Sequence, residues 1–140
     1  MNETQGPRRI GRSIVALLAG IVVGVVLSLG TDEIFHLARV YPPWGQPMSG
    51  ALFLLALGYR IPASVAGSYV IARLAPDRPM QHALVGGVVG LVVSIAGAVA
   101  TWNLGLGPHG YPVAVAAIAM PCAWLGGKLH LMRERLPQPG

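Results

Sequence analysis

Long apolar runs broken by short polar stretches dominate the chain. Residues Ser13–Gly30, Ala51–Leu74, Ala83–Ala100 and Val113–Leu129 carry little charge between them. A helix that crosses a bilayer needs about 20 predominantly apolar residues, within a range of about 17–25. Each run is long enough, or nearly so. The pattern predicts four transmembrane helices, over approximately 13–31, 50–74, 83–102 and 113–131, in a single transmembrane domain covering residues 1–140. The expected fold class is all-α, a four-transmembrane-helix bundle.

Small residues recur at helical spacing inside these runs. The first span has Ala16, Gly20, Gly24 and Ser28; the third has Gly86, Gly90, Ser94 and Ala98. The second contributes Ala56, Ser64, Gly67 and Ser68, the fourth Gly126 and Gly127. Lipid tails are as apolar as leucine, so helices in a membrane associate through close backbone approach at such positions. A repeat is also visible. "ALLAGIVVGVVLSLG" and "ALVGGVVGLVVSIAG" match at Ala16/Ala83, Gly20/Gly87 and Gly30/Gly97, among others. Pro62 precedes Gly67 as Pro121 precedes Gly126, and each outer loop contains Tyr-Pro, at Tyr41–Pro42 and Tyr111–Pro112. Two explanations stand side by side: a duplicated hairpin forming a parallel repeat, and chance matching among Ala, Gly, Val and Leu.

Composition agrees with a membrane class. The chain is 54% hydrophobic and 11% charged, against about 25% charged in a soluble domain. The positions of the charges set an orientation. Arg8, Arg9 and Arg12 precede the first span, Arg73 and Arg78 flank the turn between the second and third, and Lys128, Arg133 and Arg135 close the chain. The other two loops hold only Arg39. By the positive-inside rule both termini are expected in the cytoplasm, with the Asp32–Pro47 and Asn103–Pro112 loops outside. The net charge of +5 is explained by anionic headgroups, so no nucleic-acid partner is expected. "RRIGR" and the run after it resemble a signal peptide. That run is long for one, and cleavage would leave an odd number of spans, so it is read as a retained helix. The single cysteine, Cys122, lies inside the fourth span and builds no disulfide framework.

The candidate chemistry is a short set of polar residues in or near the apolar runs: Arg60, Tyr59, Asp32, Glu33, His36 and Asn103. Arg60 falls near mid-membrane, at a cost from about 3 to more than 10 kcal/mol, so it must face protein or water. Two accounts stand open. Pro62 frees the carbonyl of Gly58, which the guanidinium would bond while reaching toward an interface. Alternatively, Arg60 holds an anionic ligand or pairs with a carboxylate. Asp32 continues the small stripe of the first span toward His36 and could turn inward to Arg60 or Asn103. Depth argues against the direct pair, because Arg60 lies about 15 Å deeper at 1.5 Å per residue. Glu33-x-x-His36 is half of a di-metal carboxylate motif and has no second copy, so no metal is expected and no cofactor. Tyr41, Trp44, Trp102 and Tyr111 fit an interfacial aromatic belt. Nucleophile-elbow, P-loop, dinucleotide and HExxH motifs are absent, and no enzyme activity is expected.

"VYPPWGQPMSGALFLLALGYR", "ARLAPDRPMQHALV", "GAVATWN" and "PCAWLGGKL" resemble a family of small, uncharacterised bacterial integral membrane proteins, from about Thr31 to Leu129. The resemblance implies a four-span inner-membrane protein. It implies no activity and carries no functional residues. Two functional expectations follow. One is a non-enzymatic accessory component that assembles with itself or a membrane complex. The other is a small transporter or channel subunit in which Arg60, Tyr59 and Asp32 line a polar path. Reporter fusions at Pro79 and at the C-terminus are expected to score cytoplasmic and one at Gln46 external; an external C-terminus breaks the four-span topology.

Overall fold

The structure, a computed structural model, describes residues 6–137. It is all-α: α1 (Gly6–Leu37), α2 (Gly50–Leu74), α3 (Pro79–Thr101) and α4 (Gly110–Arg135). All four are long and apolar enough to cross a membrane. They run alternately up and down, so residues 6 and 137 lie at one end, with the α2–α3 turn. That end is called the terminal end below, and the end with the other two connections the loop end.

Local chemistry sets the boundaries. The Ser49 hydroxyl caps α2 by accepting from the Leu52 amide at 3.4 Å. Pro76 follows the C-cap Ala75 and blocks continuation. Pro79 opens α3, where its missing N–H costs nothing. Pro62 and Pro121 lie inside α2 and α4, and both face outward. α1 and α4 extend past the apolar runs at both ends, because a helix need not stop where the apolar composition does. α2 coincides with the expected 50–74.

α2 is the central helix. It packs against α1 and α4 most extensively and against α3 less; α3 packs on α4, and α1 and α4 do not touch. The contacts are made by small residues. A Cβ placed on Gly67 would lie 2.7 Å from the Gly20 carbonyl, and one on Gly20 would strike Gly67 and Ile71. On Gly126 it would meet Ser68 Cβ and the Val65 carbonyl at 2.6 Å, and on Gly87 the Ala123 methyl at 2.5 Å. α2 thus meets α1 and α4 backbone to backbone in the half nearer the terminal end, and α3 joins them there through the small side chain of Ala123 and through Ile71. The buried set among the described residues is Ala16, Gly20, Ala56, Ala63, Gly67, Ser68, Ile71, Ala72, Ala83, Gly86, Gly87, Cys122, Ala123, Gly126 and Gly127, with Asp32, Tyr41 and His130.

The repeat reappears as burial. Ala63, Gly67, Ser68 and Ile71 of α2 are buried at the same offsets from Pro62 as Cys122, Gly126, Gly127 and His130 of α4 from Pro121. Ala16 and Gly20 of α1 match Ala83 and Gly87 of α3 in the same way. The stripe expected on α3 is only half used. Gly86 is packed, whereas Gly90 and Gly97 have open space beside them, and Gly90 borders a cleft between α3 and the α1–α2 pair. Gly20→Leu or Gly126→Leu is therefore expected to lower the melting temperature in detergent strongly, and Gly90→Leu to leave it near wild type; equal losses would show these crossings to be misplaced.

Candidate functional site

At the loop end the helices are joined by polar side chains instead. Asp32 of α1 and Arg60 of α2 form an ion pair, Oδ2 to Nη2 at 2.8 Å. Tyr59 donates its hydroxyl to the other oxygen of Asp32. With that proton committed, the Tyr59 oxygen accepts from Tyr41 at 2.9 Å. On the other side Arg60 Nε donates to the Tyr111 hydroxyl at 2.5 Å. The chain Tyr41–Tyr59–Asp32–Arg60–Tyr111 thus ties the α1–α2 connection, α1, α2 and the first turn of α4 together. Asp32 is 5% exposed and Tyr41 5%, whereas the Arg60 side chain keeps 27% of its surface. Aromatic rings wall the cluster. Phe35 lies between Tyr41 and Tyr59, with centroids at 5.3 and 5.5 Å, and Phe53 packs on Tyr111 at 4.7 Å.

The direct pair runs against the depth argument from sequence, and helix geometry supplies the reason. α1 continues to Leu37, which places Asp32 about one and a half turns inside its end. Side chains lean toward the N-terminus of their own helix. α1 and α2 are antiparallel, so Asp32 leans inward and Arg60 leans outward, and the two meet. The proposed bond to the Gly58 carbonyl is replaced: Arg60 spends its hydrogen bonds on Asp32 and Tyr111.

Of the six candidates, Arg60, Tyr59 and Asp32 are brought together. Glu33 and Asn103 are exposed and outside the network. His36 sits beside it. Its Nδ1 donates to the Asp32 carbonyl at 2.8 Å, and its ring stacks on Trp44 at 3.9 Å. Across the loop end His109 stacks on Trp102 at 4.1 Å. Tyr41 and Tyr111, which the sequence assigns to the aromatic belt, instead point inward, while Trp44 and Trp102 stay at the surface. The signal that could have found them is the Tyr-Pro placed alike at the loop end of the two hairpins, Tyr41–Pro42 and Tyr111–Pro112.

Three clefts meet at Arg60. One, of about 330 Å³, lies between α2, the upper part of α3 and the start of α4, beside Phe53, Trp102, His109 and Tyr111. The second, of about 460 Å³, runs down between α1, α2 and α3 past Ser28, Ser64, Gly90 and Ser94. The third, of about 170 Å³, lies under the α1–α2 connection beside Asp32, Tyr41 and Trp44. Ser94 and Val115 border both larger clefts, which therefore adjoin at the guanidinium. At the terminal end the polar contacts are simpler. Ser13 donates to His82 Nε2 at 2.8 Å, and Arg133 donates to the Tyr69 hydroxyl at 2.9 Å.

No family model, curated protein or solved structure matches this chain.

Removing one member of a buried ion pair strands the other. Arg60→Leu is expected to destabilise the protein by roughly 3 kcal/mol, the low end for such a loss because Arg60 is partly exposed. Asp32→Asn/Arg60→Leu should recover at least half of that, since the asparagine amide oxygen would still accept from Tyr59. Thermal unfolding of the two single variants and the double variant in detergent measures the coupling; additive losses would mean that the pair contributes nothing.

Proposed function

We propose that this chain is a non-enzymatic, multi-pass protein of the bacterial inner membrane, with both termini in the cytoplasm, that works as a small transporter or channel subunit receiving an anionic ligand at Arg60. The observation that carries the reading is that Arg60 borders all three clefts while, among the described residues, only its Nε and one Nη2 hydrogen find side-chain partners. A guanidinium has five N–H donors, and a purely structural arginine has no reason to keep the rest facing open space. An ionisable residue inside a membrane is by default a functional candidate. The orientation rests on the basic residues gathered at the terminal end. The bacterial inner membrane rests on the resemblance of the four quoted stretches.

The self-assembling accessory reading has its own support. Large apolar side chains such as Val22, Val26, Leu54, Val92 and Val99 face outward, and each needs lipid or another copy against it. The two readings are compatible, because four spans are few for a transport path and a homo-oligomer would enclose one.

The test is complementation of a deletion strain. Arg60→Lys keeps a charge for Asp32 but loses the planar fork. It is expected to reach wild-type levels in the membrane and to restore the phenotype only in part. Full restoration by Arg60→Lys and by Asp32→Asn/Arg60→Leu would return the protein to the accessory reading.

A further inference from the structure

The polar cluster is unbalanced in one direction. Both oxygens of Asp32 are engaged, by Arg60 and Tyr59. Tyr111 accepts from Arg60, and its own hydroxyl proton has no acceptor among the described residues. With two of five guanidinium hydrogens used, the site holds spare donors and no comparably free acceptor. It therefore asks for oxygen acceptors. The planar match to a guanidinium fork is a carboxylate, whose two oxygens lie in one plane and carry a single charge.

The space around it is largely apolar, with the hydroxyls of Ser28, Ser64, Ser68 and Ser94 along it. In the larger cleft Arg60 is the one ionisable lining residue; the others are Gly, Ala, Val, Leu, Ile and Ser. Its volume, about 460 Å³, lies in the lower part of the ordinary range for small-molecule pockets, roughly 300–1,000 Å³, with room for one tail. A small hydrophilic anion would leave that wall unsatisfied, and an uncharged hydrocarbon would leave the donors unsatisfied.

We infer that Arg60 and the cleft between α1, α2 and α3 bind a single-tailed amphiphile with a carboxylate head, a long-chain fatty acid. The head lies on the free edge of the Arg60 guanidinium within reach of the Tyr111 hydroxyl. The tail descends past Ser94 and Gly90 toward Ile71. Asp32 competes with the head for the same guanidinium and so sets the affinity. This rests on the ligand-binding reading above and names its substrate class.

Two features make the test clean. Gly90 borders the cleft, yet a Cβ there meets nothing within 4 Å, so Gly90→Leu fills the tail's path without disturbing a helix crossing. Leu54 is exposed and serves as a control. The purified protein is placed in phosphatidylcholine nanodiscs with doxyl-labelled stearate or the matching stearyl alcohol, and the immobilised fraction is read by electron paramagnetic resonance. Wild type should prefer stearate over the alcohol by about tenfold, the worth of one hydrogen bond to a charged group. Arg60→Lys should lose most of that preference, Gly90→Leu should lose the immobilised population, Asp32→Asn should tighten binding, and Leu54→Ala should change nothing. Equal immobilisation of acid and alcohol, or binding untouched by Gly90→Leu, overturns the inference. Displacement by an equal concentration of acetate also overturns it, by showing an anion site without a tail site. Should Arg60→Lys fail to fold, Gly90→Leu and the alcohol still decide. If complementation depends on Arg60 but stearate is not held, the ligand-binding reading stands and only the fatty acid falls.

Discussion

Burying leucine gains nothing for two helices in lipid, because the lipid is as apolar as the partner. What holds this bundle is the meeting of bare backbone at Gly20 with Gly67 and at Gly126 with Val65 and Ser68. That requirement sends most of the larger apolar side chains outward and fills the interior mainly with Ala, Gly, Ser and Cys, Ile71 being the one large aliphatic side chain buried among the described residues. It also fixes the shape. The buried residues of α3 are confined to Ala83, Gly86 and Gly87, and beyond them α3 stays on α4 while space opens between it and α1 and α2. The two larger clefts flank the upper part of α3 for this reason.

The loop half needs another adhesive, and the ion pair supplies it. A charge at membrane depth is costly alone, and a pair is worth keeping only when its remaining lone pairs and protons find partners. Here the partners are phenols. Tyr59 and Tyr111 bond to the pair without adding charge, and Tyr41 completes the row from the connection above. Among the described residues no buried side-chain nitrogen or oxygen is left without a partner. The open edge of Arg60 is the part that does meet space. A bundle sealed by Asp32 on one side of the guanidinium and left open on the other has stability on one face and chemistry on the other.

The helices were legible because the apolar runs are long and nearly free of charge; no tertiary contact is needed to read them. The charge of Arg60 in such a run marked it at once, and Asp32 and Tyr59 were legible by proximity. What failed was geometry that only antiparallel packing creates. Residue counting put Asp32 and Arg60 at different depths, since it ignores that side chains on opposed helices lean toward each other. Tyr41 and Tyr111 were hidden by a general preference of aromatics for interfaces, which says nothing of which rings turn inward. Gly90 looks like Gly86 in sequence, and only tertiary packing separates a glycine pressed on Ile71 from one bordering a cleft.

The repeat carries one asymmetry. α1 and α3 are markedly more apolar than α2 and α4, so each hairpin opens with a helix that enters a bilayer readily and closes with one that does so reluctantly. In the first hairpin the reluctant helix carries Arg60, and the helix already inserted carries Asp32. Asp32 is thus synthesised before the base that it pairs with. The α1–α2 hairpin, rather than α2 alone, is therefore the smallest stretch of chain in which the charge of Arg60 has its counter-charge.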